Sequence, residues 1–269
     1  MKVFIVSDLE GVSGVTKGGQ TTGGAPMFEE SRRLYTEEIN AAVRGAKSAG
    51  ATEIVVMDCH GAGGEWDFNS LIPELLDEAC DFVVQDEWTE YTMFLEAGVD
   101  AALFVGMHAM AGTRTGVMNH TVSGQVWQNL WFNGVLVGET GINAALCGTW
   151  GCPVLMVTGD DAACDEAAEL LGPSLVTVPV KHGFGSQSAR NIAPLRARRL
   201  IEEGAARALA DIGAVEPYLP GSPCEIQVEY KNTRAPDALR HRAGVERVSD
   251  RMIISRADTW WDAWRQFYF

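Results

Sequence analysis

The chain has 269 residues, 36 Asp and Glu against 21 Lys and Arg, a formal charge of -15 and an ordinary apolar fraction of 46%. That length holds one large α/β domain, or a domain with a smaller appendage, and the acidic excess repels phosphate backbones and anionic lipid, so neither nucleic acid nor a membrane surface is an expected partner. No apolar run is long enough to cross a membrane, no leader pattern precedes the first strand and the six cysteines lack CxxC spacing, so a soluble cytoplasmic protein with reduced thiols is expected.

The first apolar run, Lys2 to Ser7, reads as a buried strand that gives way to Asp8, Glu10 and a glycine-rich turn. A loop from Gly11 to Pro26 leads to a helix over Glu29 to Ser48, with Leu34, Ile39, Ala42, Val43 and Ala46 at helical spacing and a stop at Gly50. The next strand, Glu53 to Asp58, runs into Cys59, His60 and the Gly61-Ala62-Gly63-Gly64 loop. A short helix near Pro73 to Ala79, a strand at Phe82 to Gln85 and a helix around Thr89 to Ala97 follow, and then a strand at Ala101 to Met107 ending in His108.

Beyond His108 the pattern changes, because Asn133-Gly134 is a strong two-residue hairpin signal between Leu130-Trp131-Phe132 and Val135-Leu136-Val137. Glu139 follows at the entrance to a helix over Gly141 to Cys147, where it is either a favourable partner for the helix dipole or a further metal ligand. The strand Val154 to Thr158 ends in Gly159-Asp160-Asp161, of which the aspartates read best as a cap for the helix Ala162 to Leu171. These alternating units predict a mostly parallel sheet with helices on both faces, a three-layer α/β domain over residues 1–180.

Residues 181–269 are expected to form a smaller α+β lobe. It comprises a long arginine-rich helix from Pro194 to Ile212, a Pro/Gly-rich link at Glu216 to Pro223, strands at Glu225 to Tyr230 and Arg251 to Ser255, and an aromatic helix from Trp260 to Phe269. That last helix docks on its own core or covers a subunit interface.

Parallel strands bring their carboxyl ends to one rim, where open α/β sheets build their sites. Asp8, Glu10, His60 and His108 all stand at such ends, and two carboxylates with two imidazoles make an oxygen and nitrogen donor set suited to zinc or a similar divalent ion. Each alone is more often a cap or a hydrogen-bonded rim residue; independent caps have no reason to supply ligand-type side chains at several ends of one sheet. Cys59, between Asp58 and His60, is turned away by strand alternation and reads as a packed thiol.

The motifs Asp8-Leu9-Glu10-Gly11-Val12-Ser13-Gly14, Asp58-Cys59-His60-Gly61, Gly106-Met107-His108-Ala109, Met118-Asn119-His120-Thr121, Val137-Gly138-Glu139 and Thr158-Gly159-Asp160-Asp161 together resemble the zinc-dependent D-aminopeptidases typified by the enzyme of the dipeptide-transport operon of bacilli. The resemblance implies a pair of zinc ions held by Asp8, Glu10, His60, His108 and Glu139. It implies His120 as an additional active-site histidine, acting as acid/base, as oxyanion donor or by orienting a ligand. It also implies hydrolysis of the amide bond of short peptides or amino-acid amides with a free amino terminus, in a decameric homo-oligomer. Met57, Cys59 and Met107 depart from the family's usual residues, and the loop Gly63 to Phe68 is longer and more aromatic, so the group accepted is open to change. Rival readings are an amidohydrolase of a non-peptide small molecule, and a non-catalytic nucleotide-binding or assembly protein. The first glycine turn has the wrong spacing for a phosphate loop, and Asp8 and Glu10 repel phosphate.

Overall fold

The strand runs read from the sequence are continuous rather than alternating in hydrophobicity because the central ones are buried on both faces, as parallel strands covered by helices must be. The computed structural model describes residues 1–88 and 91–268. In chain order it contains β1 (Lys2–Ser7), α1 (Phe28–Ser48), β2 (Glu53–Asp58), β3 (Asp81–Val83), the single turn α2 (Met93–Glu96), β4 (Ala101–Met107), β5 (Trp127–Phe132), β6 (Val135–Val137) and α3 (Glu139–Thr149). Then come β7 (Val154–Asp160), α4 (Asp161–Leu171), β8 (Val176–Gly185), β9 (Ser188–Asn191), α5 (Pro194–Ala208), β10 (Cys224–Tyr230), α6 (Arg234–Leu239), β11 (Val245–Arg247), β12 (Met252–Ala257) and α7 (Trp260–Tyr268).

The larger sheet has the order β3-β2-β1-β4-β7-β8-β9, parallel except for β9, which turns back on β8. The chain winds outward in one direction from β1 and in the other from β4, so the order reverses between these two strands. α1 packs over β1, β2 and β4, while α3 and α4 pack on each other and against β4, β7 and β8, the opposite faces that the usual right-handed crossover gives to strands added on either side of a reversal. α5 returns to the face of α1, where Gly45 lets the helices meet: a Cβ there would lie 2.4 Å from the Glu202 carbonyl oxygen. This is the expected α/β architecture.

A second, antiparallel sheet has the order β11-β12-β10-β5-β6. Its β5–β6 hairpin turns at Asn133 and Gly134, whose φ values of 46° and 81° are those of a type I′ turn. The hairpin thus lies in the sheet otherwise built from C-terminal strands, and residue 180 falls within β8 of the first sheet. α7 packs on β10, β12 and α3, with Trp260, Trp264 and Phe267 buried, so the aromatic helix docks on its own chain. Phe269, like the Thr89 and Glu90 end of the helix expected over Thr89 to Ala97, lies outside the described residues. The helix expected near Pro73 to Ala79 is one 3-10 turn at Pro73–Leu75. Among the described residues no helix is long and apolar enough to cross a membrane.

At the reversal point β1 and β4 are drawn close by Gly106. Its φ is +79°, and a Cβ there would lie 2.0 Å from the Asp8 carbonyl oxygen. Gly106→Ala therefore has to push β4 away from the Asp8 turn. We expect a loss of about 3 kcal/mol, from overpacking plus left-handed strain, in urea unfolding monitored by circular dichroism. An unchanged midpoint would show that the contact yields freely.

Candidate metal centre

Asp8 leaves the end of β1 with its N–H bonded to the Val105 carbonyl at 2.9 Å, and Gly11 N–H donates to Gly106 O at 2.7 Å, so the turn carrying Asp8 and Glu10 is stitched to β4. His60 follows β2 and is set by Asp58. That buried carboxylate accepts the Tyr35 hydroxyl at 2.8 Å, the His60 backbone N–H at 3.0 Å and the Ser70 N–H. His108 follows β4 directly, and Glu139 is the first residue of α3.

These side chains converge. His60 Nδ1 lies 3.3 Å from Asp8 Oδ1 and 2.8 Å from Glu10 Oε2, while His108 Nε2 lies 3.3 Å from both Asp8 Oδ2 and Glu139 Oε1. His120 Nε2 is 3.6 Å from Glu139 Oε1, and its ring stacks on that of His108 at 4.1 Å between centroids. Asp8 thus touches both early histidines, one with each oxygen. Glu139 is held by the Val122 N–H at 2.7 Å, which Val122 delivers from the left-handed region at φ 58°, a strained setting for a β-branched residue.

Each of the three imidazoles has one nitrogen anchored on a backbone carbonyl: His60 Nε2 on Thr21 at 2.8 Å, His108 Nδ1 on Ala109 at 3.0 Å and His120 Nδ1 on Met118 at 2.9 Å. The anchored nitrogen donates, which turns the other nitrogen's lone pair toward the carboxylates. This tautomer lock is what histidines use to bind a cation. The donor set fits a divalent ion on a second count: Asp8 Oδ2, Glu10 Oε2 and His108 Nε2 are buried without a hydrogen bond of normal geometry, Glu10 Oε2 lying near His60 Nδ1 in a poor orientation.

Burial would by itself raise the Glu10 carboxyl, yet the facing His60, His120 and His108 hold it well below the usual carboxylate range. Burial would likewise strip His60 and His108 of their protons, but Glu10 with Asp8, and Glu139 with Asp8, keep both imidazoles well above the ordinary value. Protonated imidazole is the cation the cluster recruits from its own side chains; a bound metal ion displaces those protons.

The cluster opens into a cavity of about 80 Å³ lined by Asp8, Glu10, Cys59, His60, Gly61, Phe68, Trp88, His120, Val122, Glu139 and Tyr268. Cys59 is buried in the core, as the packed-thiol reading expected, and also contributes to one wall of the cavity. Trp88 and Tyr268, which meet edge to face, are walls that sequence reasoning missed; of the aromatic loop after His60 only Phe68 reaches the cavity, Trp66 packing on Phe28 and Arg32. Asp160 caps α4 through Ala163 N–H at 2.8 Å, as expected, and Asp161 pairs with His182 at the surface.

An α/β sheet with a buried carboxylate and imidazole cluster at its reversal point defines a protein of the metallohydrolase class. The chain belongs to the D-aminopeptidase family, whose model matches residues 1–269. It is 34% identical over 234 residues to the D-aminopeptidase of Bacillus subtilis (strain 168), a match covering 86% of this chain and 82% of that one. Its fold superposes with a TM-score of 0.91 and 30% identity on the Zn-dependent D-aminopeptidase DppA from Bacillus subtilis, a self-compartmentalizing protease, covering 99% of this chain and 95% of the other.

Beneath the Asp8–Glu10 turn, Glu38 of α1 accepts the Ser13 N–H at 3.0 Å, and burial pushes its carboxyl up to about 7 against the pull of Ser13, Lys181 and Arg198. A folded value above the unfolded 4.5 means the native state binds the extra proton. Stability from this group is therefore full below pH 4.5 and is lost as pH rises toward 7, by roughly 3 kcal/mol at about 1.4 kcal/mol per unit. Glu38→Gln should match the parent at pH 5 and melt higher at pH 8 in metal-free calorimetry; a constant gap at both pH values would contradict this ionisation.

Proposed function

We propose that the protein is a zinc-dependent aminopeptidase that removes the first residue from short peptides or amino-acid amides with a free amino terminus, and that a pair of zinc ions is held by Asp8, Glu10, His60, His108 and Glu139. The observation that carries this is the set of three imidazoles, each anchored on a backbone carbonyl and turned toward buried carboxylates, of which Asp8 Oδ2 and Glu10 Oε2 have no hydrogen-bond donor of normal geometry. The family and its zinc-dependent relative support the choice of metal and reaction. The self-compartmentalizing relative supports a homo-oligomer, for which we propose the decameric form, and the acidic excess of the chain supports a cytoplasmic enzyme that takes no nucleic acid.

Bound zinc supplies Lewis acidity and a water that ionises near neutral pH. The chain's own residues do the rest. Asp8, with one oxygen toward His60 and the other toward His108, is the carboxylate placed to bridge the two halves of the site. Hydrolysis adds the water oxygen to the carbonyl carbon, breaks the C–N bond and returns a proton to the leaving nitrogen. His120 is the group placed to carry that proton, because its Nδ1 is committed to Met118 while Nε2 faces Glu139 at the cavity and the side chain keeps 23% of its exposure. Phe68, Trp88, Val122 and Tyr268 narrow the cavity around the reacting bond.

A second reading of His120 has its own observation: the donor atoms of His108, His120 and Glu139 all lie within 4.8 Å of one another, so His120 can complete a ligand set. The two roles separate in one variant. His120→Ala should keep its zinc and lose about 10²- to 10⁴-fold in kcat, the usual share of an acid/base residue; loss of one zinc equivalent by elemental analysis would make it a ligand. His60→Ala and His108→Ala should lose metal and turnover together.

The substrate reading is tested with D-alanyl and L-alanyl p-nitroanilides beside their N-acetylated forms. Activity should require the free amine. Turnover of the capped compounds alone would identify an amidohydrolase instead.

A further inference from the structure

Lys181 lies on β8, inside the first sheet, with no solvent exposure, and among the described residues it is the one lysine or arginine that is fully buried. A buried ammonium is costly unless all its protons are bonded. Here all three are used: Nζ donates to the carbonyls of Glu10, Val12 and Val15, the last two at 3.1 and 2.5 Å. Three carbonyls of one loop therefore converge on a single point. That point is fixed from below by a strand whose neighbour, β7, pairs Asp160 with Lys181 in register.

Glu10 is among the residues proposed to hold zinc, and its own carbonyl is one of the three. We propose that Lys181 is a positioning residue for the metal centre: by holding the Glu10, Val12 and Val15 carbonyls it fixes where the Asp8–Glu10 turn presents its carboxylates, and so sets the affinity and geometry of the site. This rests on the zinc reading above.

Charge alone would give the opposite sign, since a fixed cation repels a metal ion. Asp160 and Glu38, however, act on the ammonium along with Glu10 and Asp8, so acidic groups outside the metal centre offset its charge. What reaches the metal centre is geometry. Removing the ammonium leaves the Glu10 and Val15 carbonyls without a donor, while Val12 O keeps the Val15 N–H at 3.1 Å, and the loop must turn those two elsewhere, taking Glu10 with it. Other restraints hold N–H groups of the loop rather than the Glu10 carbonyl: Gly106 O accepts Gly11 N–H at 2.7 Å, and Asn191 Oδ1 accepts Gly14 N–H at 3.0 Å.

The test compares Lys181→Met, Lys181→Gln and Asn191→Ala with the parent, using zinc competition against a chromogenic chelator and the visible spectrum of the cobalt-substituted proteins. Lys181→Met should bind zinc 10- to 100-fold more weakly, the range typical of residues that orient a ligand, with an altered cobalt spectrum. Lys181→Gln, which keeps a donor, should fall between it and the parent, and Asn191→Ala should keep the parental spectrum and an affinity within about threefold. With zinc saturating, kcat should fall while KM holds. Unchanged or tighter zinc binding in Lys181→Met would overturn the proposal. So would failure of both lysine variants to fold at saturating zinc while Asn191→Ala folds, which would make Lys181 a residue of the fold alone. A parent protein that binds no zinc would instead defeat the underlying metal reading.

Discussion

The arrangement depends on one constraint: Asp8, Glu10 and Glu139 are buried within contact distance of His60 and His108, and among the described residues no lysine or arginine forms an ion pair with their carboxylates. Carboxylates so placed repel one another in a low-dielectric interior and require positive charge between them. The fold creates this convergence at the reversal of strand order, where the ends of β1 and β4 are forced together by a glycine at Gly106 and by bonds from the Asp8 turn to β4. The backbone carbonyls of Thr21, Ala109 and Met118 then choose which nitrogen each imidazole turns inward. Sheet, turn and tautomer thus all serve a single electrostatic requirement.

Much of this was legible in the chain. Asp8, Glu10, His60 and His108 follow directly on strong apolar runs, and strand ends are where pattern reading carries chemical information. Glu139 was ambiguous because a carboxylate at a helix entrance is favourable for the helix dipole whether or not it faces a metal. His120 had no pattern of its own. It lies in an irregular loop where Met118 and Val122 adopt φ of 49° and 58°, conformations that no periodicity announces, and only the motif resemblance pointed to it.

The parts that escaped the sequence are those fixed by tertiary choice. Nothing local tells a hairpin such as Trp127 to Val137 which sheet it will join, so its place beside β10 was not foreseen. The return of β9 on β8 was hidden by glycines at 183 and 185, which interrupt the apolar alternation. Lys181 breaks the pattern of its strand by design of the neighbouring loop: a charged residue after Val176, Val178 and Val180 signals an exposed edge until the carbonyls that surround it are seen. The C-terminal helix, read as core or interface, proves to be core at Trp264 and cavity wall at Tyr268, so the last helix reaches the site carried by the first strand.

The central claim is that these side chains form one cation-holding centre. The most direct measurement is anomalous diffraction from crystals of the protein grown with zinc, collected on both sides of the zinc absorption edge. The account predicts a pair of peaks about 3.5 to 4 Å apart, bounded by Asp8, Glu10, His60, His108 and Glu139. Absence of anomalous density there, or zinc bound only at surface carboxylates, would contradict it.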